Sequence, residues 1–293
     1  MRKITKPKED SKTVFLNCIT DFSDQDLKTR LEQIASLIAT SSQQFDNLIR
    51  ENKLCLIERN KVYKATKEER IFGGLVTINE VKEVYTKGFA AKDSPGRVLY
   101  DEIILSAPYS KCPYCFHRNV GTMDHYLPKA YYPLLSVVPF NLVPSCIRCN
   151  TGELRASFPQ QPSEEILHPY YDDVEKELWL RAEVKHTSPA TINFFADPPE
   201  KWDSLLKDRV RNHFSILKLN ELYSIEAALE LINLEGQCQA QYNMGGAAAV
   251  KSHLEETAES RKVAFINSWQ TALYSAIAID NWFHNGGFVI PKK

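Results

Sequence analysis

The sequence predicts a helix-rich α+β protein in which two helical regions flank a small metal-binding module. Apolar residues recur at helical spacing towards both ends of the chain. The segment 111–159 is instead rich in Pro, Cys and aromatic residues and has no long periodicity. It also contains two Cys-x-x-Cys pairs, so a metal can replace a broad hydrophobic core there. We divide the chain into a helical N-terminal region (1–100), a central module (101–195) and a helical C-terminal region (196–293).

The amino-acid composition and net charge exclude several classes of protein. The 293 residues are 43% apolar and 25% charged, which is typical of a folded globular protein. The net charge of −1 excludes a chain that coats nucleic acid non-specifically, so any polyanion must bind at a local patch. No stretch approaches the roughly 18 to 20 apolar residues of a membrane span, and the basic start precedes no signal-like apolar run. We therefore expect a cytoplasmic protein with reduced cysteines and no membrane partner.

The N-terminal region begins with a predicted long helix. Ser23 and Asp26 fit a capping box, and the helix ends by Gly73 and Gly74. The stripe indicates a core-facing surface or helix hairpin, with a partner-binding coil as the alternative. A shorter helix is predicted near 80–85, followed by a turn and a short apolar run at 103–105. The stripe comprises Leu27, Leu31, Ile34, Ile38, Phe45, Leu48 and Ile49.

The C-terminal region is predicted to be helical after one short strand around 178–184. Helical patterns run through WDSLLKDRVRNHFSILKL and NELYSIEAALELINL, and then over 247–280, with glycine pairs near their ends. His213 and Trp269 lie on these patterns and are expected in the core.

Two cysteine pairs, about 30 residues apart, provide the soft tetrahedral ligand set that zinc prefers. With four protein ligands the site is closed, so we expect a structural zinc. Redox dithiols are the competing interpretation, but no thioredoxin-like pattern accompanies the pairs. The predicted ligands are Cys112, Cys115, Cys146 and Cys149, whereas Cys18, Cys55 and Cys238 are expected as small buried hydrophobes.

Two histidines near these pairs are weaker candidates. His117 could replace a cysteine ligand but is expected at the surface, because four cysteines already complete the site. His168 is expected to pack against the zinc module.

A second kind of metal chemistry is indicated between the pairs. Asp124 is a hard oxygen ligand suited to Mg²⁺ or Mn²⁺, and the adjacent His125 can accept a proton from water near neutral pH. Neighbouring residues of a strand point to opposite faces, so a bend is needed to bring both to one phosphate. The segment 126–128, Tyr-Leu-Pro, can provide it.

The frame CPYC…DHYLPK…NLVPSCIRCN resembles the HNH nuclease family, the ββα-metal fold, in its zinc-supported form. The resemblance implies that His125 activates water and that Asp124 and Asn150 bind the catalytic Mg²⁺ or Mn²⁺. It also implies that Asn141 positions the His125 loop. Two departures are that Asn150 stands in place of the final His, and Glu153 in place of a frequent lysine.

The same segment carries a local excess of positive charge, with five basic residues against two acidic ones over 111–155. These side chains could contact the phosphates of DNA, or of RNA with lower expectation; the alternative is that they are simply solvated. By contrast, 164–183 holds seven acids and two basic residues, so nucleic acid should avoid it. The candidate contacts are Lys129, Arg118, Arg148 and Arg155.

A wider frame that includes LHPYYDD is similar to HNH proteins of bacterial anti-phage defence systems that act beside an ATPase, such as PtuB of Septu. This implies an ATPase partner docked on the helical regions. One site cuts one strand, so a double-strand break needs a homo-oligomer, a larger assembly or sequential nicks. The alternatives are a non-catalytic zinc module that binds nucleic acid or protein, and a homing or restriction enzyme, for which no sequence-specific reader is evident.

Overall fold

A computed structural model describes residues 1–59, 69–150 and 159–291, which form a helix-rich α+β structure with two small antiparallel sheets. Two compact units are present: Arg2–Asp172, and Asp173–Lys293 with Met1. In the described part of the chain, no helix combines the length and apolar character needed to cross a bilayer. Glu153 and Arg155 lie outside the described residues.

The first unit places its helices before a short strand pair. Phe15, Leu31 and Phe45 are fully buried and centre the helical core. A π-helical turn, Val84–Phe89, directly continues the fourth helix. The elements are α1 (Ser11–Cys18), α2 (Gln25–Gln33), α3 (Ala35–Arg50), α4 (Ile78–Glu83), α5 (Arg97–Leu105), β1 (Thr122–His125), β2 (Leu142–Ser145) and α6 (Ile147–Asn150).

The helix predicted to start at Ser23 is two helices, so that prediction was wrong in its continuity. The break is at Ile34, which has φ −91° and ψ 2° and is fully buried. Asp24, rather than Ser23, caps α2 by accepting a hydrogen bond from the Leu27 amide at 3.0 Å. The bend lets α2 and α3 each turn their apolar stripes inward.

The helix predicted near 80–85 is confirmed as α4, which starts with a capping box between Thr77 and Glu80. The apolar run at 103–105 is the last turn of α5. The π-helical turn approaches α1 at backbone distance, because a Cβ placed on Gly88 would lie 2.1 Å from the Cys18 carbonyl oxygen. Glycine is therefore required at this contact.

The strand pair leads directly into a helix. β1 is antiparallel to β2, with Thr122 opposite Ser145 and His125 opposite Leu142. β2 is buried along its whole length. α6 begins two residues after β2, so the chain order is strand, strand, helix.

The second unit packs a hairpin on long helices. The strand predicted around 178–184 is confirmed, whereas its hairpin partner was not predicted. The helix predicted over 247–280 is divided, because one helix ends at Ala264, where Phe265 is extended (φ −153°), and another begins after Ser268, which caps it. His213 and Trp269 are buried, as predicted. The elements are β3 (Leu180–Lys185), β4 (Thr191–Ala196), α7 (Ser204–Ile216), α8 (Leu219–Ala264) and α9 (Trp269–Ile279).

Candidate metal centre and candidate active site

The four predicted zinc ligands come together in a buried cluster. The sulfur atoms of Cys112, Cys115, Cys146 and Cys149 all lie within 4.8 Å of one another. Tetrahedral zinc bonded to four thiolates at ~2.3 Å needs sulfur atoms about 3.8 Å apart, so the donor set and spacing fit this metal. The cluster could therefore hold one structural zinc. His117 is half-buried and does not belong to the cluster.

Each cysteine pair lies in a tight turn that points its sulfur atoms inward. In the first turn, the Phe116 amide donates to the Cys112 carbonyl oxygen at 2.7 Å, and Phe116 has φ +45°. In the second, the Cys149 amide donates to the Cys146 carbonyl oxygen at 3.1 Å as α6 begins. Hydrogen bonds from Cys112, Cys146 and Cys149 hold the pKa of Cys115 well below its usual range, whereas burial holds that of Cys112 well above it.

Asp124, the proposed ligand of a hard cation, is held by a hydrogen bond from the first cysteine turn. It occupies the third position of β1 and is only 3% exposed. The hydroxyl of Tyr114, which lies between the first two cysteines, donates to Asp124 Oδ2 at 2.9 Å. The cysteine cluster and this carboxylate are thus linked through one buried side chain.

His125 is held in one tautomer by the backbone. Its Nε2 lies 2.9 Å from the Ser136 carbonyl oxygen, and because a carbonyl only accepts, Nε2 carries the proton. Nδ1 then keeps a lone pair, and within the described residues no hydrogen bond occupies it. Tyr85 packs edge-on against the ring, with centroids 4.5 Å apart. Burial and the charge of Lys129 lower the pKa of His125 to about 3, so the imidazole is neutral at neutral pH.

Asn141 is fully buried and clamps the loop that follows His125. Its Oδ1 accepts from the Leu127 amide at 2.8 Å. Its Nδ2 donates to the carbonyl oxygens of Leu127 and Leu135, each at 3.1 Å. The Tyr126 amide also donates to the Asn141 carbonyl oxygen at 2.8 Å, so three hydrogen bonds fix the bend after β1 and a fourth holds Leu135.

Asn150, the last residue of α6, lies against β1. Its Nδ2 donates to Thr122 Oγ1 at 2.9 Å and to the Met123 carbonyl oxygen at 3.3 Å. These contacts place Asn150 beside the strand that carries Asp124 and His125. The structure therefore groups all three residues around β1.

The other sequence-predicted residues are dispersed. Arg118 is half-buried in the first cysteine turn, and Arg148 is exposed on α6. His168 is fully buried and packs on Tyr126, with ring centroids 4.2 Å apart. Lys129 approaches the candidate active site, where its Nζ lies 4.1 Å from the centre of the Tyr85 ring.

Three groups at the site were missed by sequence reasoning: Tyr85, Tyr114 and the Ser136 carbonyl. Tyr114 lies within a Cys-x-x-Cys pair, so its position beside the metal was the only available signal. Tyr85 follows α4, 40 residues before His125, and no spacing rule connects the two.

Among known proteins, neither a family model nor a solved structure matches this chain. The chain is similar to Protein ea31 of Escherichia phage lambda, with 29% identity over 230 residues. The similarity covers 73% of this chain and 76% of that protein, so it spans most of both sequences.

Proposed function

We propose that the chain is a metal-dependent HNH endonuclease that hydrolyses phosphodiester bonds in DNA. The observation that carries the proposal is the fixed tautomer of His125, which leaves Nδ1 as a proton acceptor on the strand that also carries Asp124 and that Asn150 contacts through Thr122. This arrangement provides one neutral base and two oxygen-bearing side chains in a strand, strand, helix unit. A module that only binds nucleic acid has no use for such a base.

In the proposed reaction, His125 Nδ1 takes the proton from the water that attacks the phosphorus atom. Asp124 and Asn150 would hold one Mg²⁺ or Mn²⁺, which supplies charge stabilisation to the phosphate and the leaving 3′-oxygen when bound. Tyr114 fixes the Asp124 carboxylate by its hydrogen bond. Asn141 keeps the loop, and with it the Ser136 carbonyl, in place behind His125.

We further propose that this nuclease is the effector of an anti-phage defence system and acts with an ATPase partner. The support is the sequence resemblance of DHYLPK…NLVPSC..CN and LHPYYDD to nucleases of that kind. In the structure, residues 167–172 of the LHPYYDD segment belong to the same compact unit as the candidate site.

The test is cleavage of supercoiled plasmid by zinc-loaded protein with and without added Mg²⁺ or Mn²⁺. We expect metal-dependent nicking that falls at least ~10²-fold in His125→Ala, because removal of a general base costs at least this much. His253→Ala is the matched control, since His253 is a half-buried histidine on α8 and should leave nicking unchanged.

Zinc content and thermal unfolding of both variants should match the wild type. Nicking by His125→Ala at the wild-type rate would contradict the proposal. Absence of nicking even when the ATPase is added would favour the non-catalytic zinc module.

A further inference from the structure

Two lysines from different parts of the first unit approach the candidate active site together. Lys129 Nζ lies over the Tyr85 ring at 4.1 Å, and that ring contacts His125. Lys82 is on α4, three residues before Tyr85, so the two lie on the same helix face. The loop after β1 meets α4 next to Lys82, where the Ser136 hydroxyl donates to the Val81 carbonyl oxygen at 3.5 Å. Burial and the charge of Lys82 both lower the pKa of Lys129.

Within the described part of the chain, neither ammonium group has a carboxylate partner. The two acids of α4 are already paired, since Glu80 contacts an arginine of α2 at 2.8 Å and Glu83 contacts Lys87 at 2.9 Å. Two half-buried like charges with no counter-charge are unfavourable, and a bound anion would offset that cost.

We propose that Lys82 and Lys129 form a second phosphate-binding site, which holds the DNA backbone next to the phosphate that is cleaved at His125. Its place relative to the cleaved phosphate rests on the proposed nuclease function, whereas its binding of DNA does not require cleavage. A lysine ammonium is a compact donor suited to a single phosphate. The DNA surface therefore extends from the central module onto α4 of the N-terminal region.

The test measures how salt weakens binding of a fluorescein-labelled DNA duplex to zinc-loaded protein without added Mg²⁺ or Mn²⁺, by fluorescence anisotropy. Each phosphate contact adds about 0.9 to the slope of log affinity against log salt. Lys82→Gln and Lys129→Gln should each remove about one contact. The affinity lost between 50 and 200 mM salt should then shrink by about 3.5-fold in each variant.

Two further variants make the measurement specific. Lys87→Gln removes the same charge from the neighbouring π-helical turn, but Lys87 is exposed and paired with Glu83, so the slope should stay at the wild-type value. Lys82→Arg keeps the charge and should also keep the slope.

An unchanged slope in Lys82→Gln, an equal decrease in Lys87→Gln, or no binding of the duplex by the wild type would each overturn the phosphate site. Plasmid nicking, measured separately, distinguishes this result from failure of the nuclease proposal. Lysine-dependent binding without nicking, even when the ATPase is added, removes the nuclease and keeps the phosphate site. Nicking by the wild type together with an unchanged salt slope in the lysine variants keeps the nuclease and removes the phosphate site.

Discussion

At Gly88 and Gly96 the backbone of the first unit leaves no room for a side chain. A Cβ on Gly88 would lie 2.1 Å from the Cys18 carbonyl oxygen, and one on Gly96 would lie 2.8 Å from Cys18 Sγ. The same π-helical turn carries Tyr85, whose ring contacts His125. Close packing against α1 therefore sets the position of an aromatic wall of the candidate active site.

Gly88→Ala should destabilise the protein by about 3 kcal/mol, because the new methyl group must displace backbone atoms of α1. Gly236→Ala is the matched control, since Gly236 lies on α8 and a methyl group added there would have no neighbour within 4 Å among the described residues. That change should stabilise the protein by about 0.5 to 1 kcal/mol through helix propensity. Urea denaturation measures both, and wild-type stability in Gly88→Ala would contradict the packing argument.

At the scale of elements, the cysteine cluster joins pieces that are too short to be stable alone. β1 and β2 have four residues each, and a two-stranded sheet of this size is marginal in water. One cysteine pair precedes β1, and the other spans the junction of β2 with α6. Because Thr122 lies opposite Ser145, both pairs are at the same end of the strand pair, and a bound zinc would hold β1 and β2 together there.

Cys149→Ser should lower bound zinc from about one ion per chain to a small fraction of that. It should also cost several kcal/mol, a fall of roughly 10 °C in the unfolding temperature, because metal binding is coupled to folding. Cys55→Ser is the control, since Cys55 is half-buried and outside the cluster. Elemental analysis and thermal unfolding check both variants; full zinc content in Cys149→Ser would refute the four-cysteine site.

Local spacing was sufficient to predict the cysteine cluster, because its ligands lie within two short turns of one module. It was not sufficient for Tyr85, which contacts His125 only because the π-helical turn after α4 packs against the candidate site. Nor did it reveal the break at Ile34, since the apolar stripe continues across that residue. Periodicity records which face is buried and does not record where the backbone turns. The roles assigned to Asp124 and Asn150 stay predictions.

At the scale of the whole first unit, Asp46 on α3 ties distant segments together. Its carboxylate accepts hydrogen bonds from Lys6, from Arg50 at 2.8 Å and from the Tyr171 hydroxyl at 2.5 Å. Lys6 also lies over the Phe140 ring at 4.3 Å, next to the buried asparagine of the candidate site. The Asp46 carboxylate thus connects the N-terminal segment and the LHPYYDD segment to α3.

Ionisation of the Asp46 carboxylate should make the free energy of unfolding depend on pH. Burial alone would raise the pKa of Asp46, but hydrogen bonds from Arg50, Lys6 and Tyr171 outweigh it and lower the pKa to about 2. A depressed pKa means that the contribution is complete above the unfolded value of 3.8 and is lost as the pH falls towards 2. The contribution is about 2 kcal/mol.

Asp46→Asn should therefore be about 2 kcal/mol less stable than the wild type at pH 7 and should approach it at pH 2. Asp21→Asn, at an exposed position, is the control and should differ little at either pH. Urea denaturation across this pH range gives the difference. A difference in unfolding free energy between Asp46→Asn and the wild type that stays constant from pH 7 to pH 2 would show that ionisation of Asp46 does not contribute to stability.

The contact between Tyr85 and His125 also limits which segments can be exchanged by recombination between related proteins. A recombination event that transferred only residues 101–195 would carry both cysteine pairs and the histidine, yet it would leave behind the ring that packs against that histidine. The hybrid would inherit a complete motif and an incomplete pocket. Viable exchanges between relatives should therefore transfer the π-helical turn Val84–Phe89 and the motif together.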